Sequence, residues 1–113
     1  MTLDIRIGDG LSIVSLPERL DGTNAGQAEG ELPAVLSAGL PVILDASHCV
    51  YISSAGLRLL LVVAKRLIPT GCVVVIAGMA DGLIEIMRIT GFDHMFAFYP
   101  NLEEAIGATK TGS

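Results

Sequence analysis

The sequence predicts an α/β fold: a mixed, mostly parallel sheet of about five strands with about four helices, in the order β-β-α-β-α-β-α-β-α. Three observations carry this reading. Hydrophobic residues make up 51% of the chain while aromatics reach only 4%, so the core is built from Leu, Ile, Val and Ala, the composition of a buried parallel sheet. Short apolar runs alternate with segments of helical period, and that alternation implies parallel strands joined by crossovers. A length of 113 residues fits one core. The expected organisation is a single domain over residues 1–108 and a flexible tail over 109–113.

Leu3 to Ile7 alternate apolar and polar, Gly8-Asp9-Gly10 tolerates positive φ, and Leu11 to Leu16 resumes an apolar run, which together read as an antiparallel hairpin. After Leu20-Asp21-Gly22, the segment Thr23 to Ser37 places Ala25, Ala28, Leu32, Val35 and Leu36 near helical period, and Pro33 either kinks this helix or begins its second half. Pro41 to Asp45 is a short apolar strand ending in an acid. From Leu57, the residues Leu60, Leu61, Ala64, Leu67 and Ile68 repeat at helical steps, with Arg58, Lys65 and Arg66 between them; Leu57, Leu60, Leu61 and Ala64 are expected to face the sheet.

Pro69-Thr70-Gly71 ends that helix, and Cys72 to Ala77 is β-branched enough to form a buried strand. Asp81 is expected to cap a third helix that Gly91 closes. Met95 to Tyr99 is a short strand, and Asn101 with Glu104 three residues later resembles a capping box at the start of a last helix.

The composition excludes several classes of function. A formal net charge of -5 argues against nucleic acid, whose phosphates are bound by clustered Lys and Arg. Lys65, Arg66 and Pro69 interrupt the longest apolar stretch, so no membrane insertion is expected. The amino terminus lacks the layout of a signal peptide, from which a cytoplasmic location is expected. Cys49 and Cys72 are expected to be reduced and to pack as small hydrophobes.

Catalysis finds little to build on. The chain has two histidines, His48 and His94, and an Asp45-His48-Ser grouping can be drawn only within one short loop, without a G-x-S-x-G elbow. Cysteines and histidines lack the close paired spacing of metal sites, and the glycines form no nucleotide-binding loop. No metal, no cofactor and no enzymatic activity are expected.

One segment stands apart: Tyr51-Ile52-Ser53-Ser54-Ala55-Gly56-Leu57, at the entry to the second helix. A serine here is an ordinary N-cap, a role open to Ser53 or Ser54. Gly56 is less ordinary, because glycine in a first helical turn costs on the order of 0.5–1 kcal/mol unless backbone approach requires it. The segment also follows the carboxyl end of a parallel strand, the edge where open α/β sheets place their working residues.

Val42-Ile43-Leu44-Asp45-Ala46-Ser47 followed by this segment resembles the central signature of STAS domains, and the likeness extends over nearly the whole chain. Glu18-Arg19-Leu20-Asp21 resembles the family's G-x-L-D element, with Glu18 in place of the usual glycine. Thr70-Gly71 precedes a hydrophobic strand as in the family, Ile89-Thr90-Gly91-Phe92 resembles its [LM]-[ST]-G-[LF] turn, and Asn101-Leu102-Glu103-Glu104-Ala105 is similar to the start of its last helix.

The resemblance implies a STAS fold and, in the anti-sigma factor antagonist branch, a bacterial regulator of transcription that works by partner switching. There the unmodified domain binds an anti-sigma factor that is also a serine kinase of histidine-kinase-like fold, which frees a sigma factor. Phosphorylation of one serine ends that binding, and a PP2C-type serine phosphatase is the implied partner for its removal. Matching the motif residue by residue assigns the modification to Ser54, with Ser53, where many members carry aspartate, as the alternative acceptor. The partner-binding residues implied are Asp21, Thr23, Asn24, Ser53, Ser54, Ala55, Gly56, Leu57 and Arg58. A different expectation from the same family is a STAS subunit of a lipid transporter or sensory assembly that is never phosphorylated; the serine at position 54 favours the switch.

Overall fold

The computed structural model describes residues 2–111. Its centre is a five-stranded sheet in the order β1-β2-β4-β6-β7, formed by β1 (Asp4–Gly8), β2 (Leu11–Ser15), β4 (Val42–Asp45), β6 (Val74–Ala77) and β7 (Ala97–Tyr99). β1 and β2 are antiparallel, whereas β2, β4, β6 and β7 run parallel to their neighbours. The mixed sheet is therefore the one expected. The hairpin closes through Asp9 and Gly10, whose φ angles of 54° and 79° are what a two-residue loop of the primed type demands.

The remaining strands, β3 (Arg19–Leu20) and β5 (Tyr51–Ile52), make a separate parallel pair of two residues each. The described residues also form five α-helices: α1 (Ala25–Gly30), α2 (Pro33–Ala38), α3 (Ser54–Leu67), α4 (Asp81–Ile89) and α5 (Leu102–Thr111). Of the two roles open to Pro33, the second is realised. It occupies the first turn of α2, where the missing N–H is no loss, and Leu32 at the break is buried.

Strand alternation divides the core between the two faces of the sheet. Val14, Val42, Leu44, Val74 and Ile76 point to one face and meet Ala28 of α1, Val35 of α2, Leu57, Leu60, Val63, Ala64 and Leu67 of α3, and Leu83 and Met87 of α4. Leu11, Ile43, Val75 and Ala77 point to the other face, where Ala105 of α5 covers them with Leu102 and Ile106. One residue of slip along β4 or β6 would exchange these two sets, so the alternation fixes the register.

The structure departs from the expected elements at several points. Leu61 is only half-buried; the inward stripe of α3 runs through Gly56, Leu57, Leu59, Leu60, Val63, Ala64 and Leu67 instead. Asp81 lies inside the first turn of α4, and the N-cap position belongs to Ala80, which offers no side-chain acceptor. The tail expected from residue 109 is helical through Thr111, because Thr109 is buried and its hydroxyl donates to the Ala105 carbonyl; residues 112 and 113 lie outside the described residues. At the other end of α5, Asn101 accepts from the Glu104 N–H at 2.8 Å, as a cap should.

Glu31, in the break between α1 and α2, holds the start of the chain. Its two carboxylate oxygens accept from the backbone N–H groups of Leu3 at 2.7 Å and Thr2 at 2.8 Å. The Leu3 N–H, then the Thr2 N–H, hold the Glu31 carboxyl below its usual range, because both bonds favour the charged form. No helix of the described residues is long and apolar enough to cross a membrane.

Two outcomes follow from this packing. Leu60→Ala is expected to destabilise the domain by about 2–5 kcal/mol and Leu61→Ala by only about 1 kcal/mol, in denaturant titrations of the two variants; equal losses would contradict the register of α3. Since folding lowers the Glu31 pKa, its contribution is present above the unfolded carboxylate value of about 4.3 and lost as pH falls through the folded value. Glu31→Gln should therefore lower the thermal midpoint at pH 7 and flatten its decline below about pH 4.3, the difference vanishing once the wild-type carboxyl is protonated.

Candidate functional site

The site is built where two loops meet, through the short β3–β5 pair. The Glu18 carbonyl accepts from the N–H groups of Val50 at 2.7 Å and Tyr51 at 3.3 Å, and the Leu20 carbonyl accepts from the Ser53 N–H at 2.9 Å. These bonds bring the turn after β3 to the amino end of α3. Leu20 and Ile52, paired in register, turn their side chains into the core, while Arg19 and Tyr51 remain outside.

Gly56 explains why the approach can be so close. A Cβ at this position would lie 2.5 Å from the Leu20 carbonyl oxygen and 2.9 Å from Ile52 Cγ2. The first turn of α3 is thus laid directly on the backbone of β3, and only a residue without a side chain permits it. Gly56 and Leu57 are buried beneath the site. They shape it from below.

The two serines have separate roles. Ser53 is the N-cap: its backbone is extended and its Oγ accepts from the Gly56 N–H at 3.3 Å. Ser54 is the first residue of the helix proper, exposed, with no hydrogen bond to its hydroxyl among the described residues. Arg58, four residues on and also exposed, projects from the same face of the helix. The free N–H groups and the dipole at this end of α3 favour negative charge.

Asp21, Thr23 and Asn24 form a closed turn beside them. Asp21 Oδ1 accepts from both the hydroxyl and the N–H of Thr23, the latter at 2.9 Å. Asn24 Oδ1 accepts from the Asp21 N–H at 3.0 Å, and Asn24 Nδ2 donates to the Arg19 carbonyl at 2.8 Å. The Thr23 hydroxyl, then the Thr23 N–H, lower the Asp21 pKa, desolvation opposes them, and the charge of Arg19 adds a lesser lowering. Asp21 and Asn24 thus spend their polar groups on the turn itself, which locks the rim.

Arg19, Val50 and Tyr51 belong to the same surface; Arg19 and Tyr51 lie within the stretches quoted above, but none of the three is among the partner-binding residues the sequence implies. The Arg19 guanidinium lies 4.4 Å from the centroid of the Tyr51 ring and its Nε is 3.8 Å from Asp21 Oδ2. Tyr51 is 42% exposed and Val50 64%, so the rim carries apolar area beside its charges. A large apolar residue at each of two successive positions, Val50 and Tyr51, just before the helix entry was the available signal.

The Asp-His-Ser grouping is not assembled. Asp45 Oδ1 accepts directly from the Ser47 hydroxyl and N–H, bypassing His48. Both cysteines are free thiols; burial pushes the Cys49 thiol up, against the modest effect of its contact with the Tyr51 carbonyl. Among the described residues, no group of three or more His, Cys, Asp or Glu side chains is placed to hold a metal ion.

Comparison with known proteins agrees with this architecture. The family model described as STAS domain matches residues 2–105. BtrV of Bordetella bronchiseptica, whose name describes it as an anti-sigma factor antagonist, is 38% identical over 104 residues, covering 91% of this chain and 90% of its own. An anti-sigma factor antagonist of Mycobacterium paratuberculosis superposes with a TM-score of 0.84 at 25% identity, over 96% of this chain and 93% of its own. An anti-sigma factor antagonist (STAS) domain protein of Planctomyces limnophilus has the same fold, with a TM-score of 0.87 at 19% identity over 96% and 97% of the two chains.

The close contact at Gly56 makes a prediction whose sign is diagnostic. In a freely solvated first turn, glycine to alanine stabilises a helix by up to about 1 kcal/mol. Here Gly56→Ala should destabilise by about 1–3 kcal/mol, since the new methyl meets backbone that cannot yield cheaply. Stabilisation of the variant in urea titration would contradict the approach of α3 to Leu20.

Proposed function

The chain belongs to the STAS domain family, and from that premise we propose that it is an anti-sigma factor antagonist switched by phosphorylation at Ser54. In the unphosphorylated state it binds an anti-sigma factor that is also a serine kinase, releasing a sigma factor; a PP2C-type phosphatase restores the binding form. It acts as a regulatory binding module in the cytoplasm rather than as a catalyst. The similarity to BtrV over nine-tenths of both chains supports the partner class.

One observation carries the choice of residue. Ser53 is committed to capping α3, whereas the Ser54 hydroxyl is exposed and does nothing for the fold. A kinase can reach Ser54 without unfolding the helix, and a phosphate there adds a charge of about -1.5 to -2 at a helix amino terminus. Arg58, one turn further along, is within reach of such a group. The fold tolerates the modification.

Binding does not tolerate it. A docking surface shaped to a neutral hydroxyl, the Tyr51 and Val50 rim and the locked Asp21 turn would have to accept bulk and unpaired charge, and burying such charge is costly. A loss of about 3–4 kcal/mol lowers affinity a few hundredfold.

The test incubates the protein with its anti-sigma factor kinase and ATP, maps the phosphate by mass spectrometry, and titrates binding by calorimetry. Phosphate is expected on Ser54, with binding weakened a few hundredfold. Ser54→Ala should bind and resist modification. Ser53→Ala should still be phosphorylated but lose about 1 kcal/mol of stability with its cap. Phosphate on Ser53, or undiminished binding by fully phosphorylated protein, would overturn the proposal.

A further inference from the structure

The two edges of the sheet differ in how they are protected. β7 has three residues and runs into Pro100, which has no N–H to offer, so little of that edge can template another strand. β1 has five residues and lies open. The N–H groups of Ser12 in β2 and of Leu16 just after it donate toward β4, to the carbonyls of Pro41 and Asp45. The alternate residues Leu11, Ile13 and Ser15 therefore face β1 and bond to Gly8, Arg6 and Asp4. It follows that the N–H and C=O groups of Ile5 and Ile7 point outward from the sheet.

The ends of this edge are defined. Glu31 already holds the Leu3 N–H at 2.7 Å, and the Asp9-Gly10 turn stops the strand at Gly8. Between them, Asp4 and Arg6 are exposed on the face that carries α5, while Ile5 and Ile7 lie on the face that carries α1 to α4, Ile7 being 45% exposed. Charged side chains usually guard an edge by repulsion. Here the two guards have opposite sign, two residues apart.

We propose that β1 is a homodimer interface, on which a second copy of this chain adds antiparallel across a two-fold axis at Ile5 to make a continuous ten-stranded sheet. In that register Ile5 pairs with the partner's Ile5 and exchanges two backbone hydrogen bonds with it. Asp4 of each copy stands opposite Arg6 of the other, which places two opposite-charge pairs on one face. A shift that centres the axis on Arg6 sets two guanidinium groups against each other, and a shift to Ile7 leaves both charges without a mate. Charge therefore selects the register, and the self-complementarity is that required of a two-fold contact.

The interface is small and uses none of Asp21, Ser54 or Arg58, so this proposal stands independently of the switch. It belongs to the weak class of associations, with dimer accumulating over roughly 10–1,000 µM.

Sedimentation velocity on the purified chain over that range is the test, with circular dichroism to verify that each variant is folded. Wild type should pass from monomer to dimer as concentration rises, and less so as salt rises. Arg6→Asp places four carboxylates in the contact and Asp4→Arg places four cations, so each variant alone should remain monomeric. Mixed in equal amounts, the two should associate, because every pair is then of opposite sign; the exchanged variant Asp4→Arg with Arg6→Asp should dimerise like wild type. A wild-type chain monomeric throughout, an Asp4→Arg variant that still dimerises, or a mixture that fails to associate would overturn the proposal.

Discussion

The Leu20 carbonyl organises one end of this molecule. It accepts the Ser53 N–H and lies over Gly56, so the first turn of α3 is fixed both by a bond and by contact with backbone. Fixing that turn also fixes where the Asp21 turn stands relative to the helix terminus. Two loops separated by about thirty residues of chain become one rigid surface, although the strands that join them are only two residues long. The hydrogen bonds within the Asp21-Thr23-Asn24 turn then stiffen the other half. Preorganisation of this sort reduces the entropy lost when a partner docks.

The sheet distributes its burden unequally. Four helices bury one face, and α5 alone covers the other over β4, β6 and β7. β1 is left as a half-covered ribbon whose attachment depends on its hairpin to β2, on Ile5 and on the carboxylate of Glu31. The same exposure that makes this ribbon the least protected part of the sheet gives it an outward row of backbone donors and acceptors. Strength at the site and openness at the edge thus come from one arrangement of helices, crowded toward α3 and sparse over β1.

Much of this was legible in the sequence because the long elements carry a period. The hairpin announced itself through Gly8-Asp9-Gly10, and the central strands through runs such as Val73-Val74-Val75-Ile76 that a sheet buried on both faces requires. Gly56 also signalled a close approach before the atom it approaches was known. The β3–β5 pair was not legible, since two residues show no alternation and the pairing is decided by contacts across the fold. Leu61 misled for a related reason: on a helix rich in Leu and Val nearly every position looks apolar, and only packing decides that Leu60 and Val63 turn inward. The rim of Arg19, Val50 and Tyr51 depends on the same unseen pairing. The end of α5 was obscured because Thr109 and Lys110 read as polar tail, while the buried hydroxyl of Thr109 is satisfied within the helix.

Ser54 is an economical residue in one respect: the domain asks nothing of it. Its hydroxyl makes no bond among the described residues, its side chain is exposed, and the cap it adjoins is supplied by Ser53. Alanine, aspartate or glutamate would sit in the first turn of α3 equally well. Neutral drift at this position is therefore not restrained by folding, and a serine persists there across a lineage only while something outside the domain makes use of it. A single codon change there would need no compensating mutation elsewhere in the domain. Gly56, two residues away, has the opposite history imposed on it, since its replacement is resisted by backbone geometry whatever the module is used for.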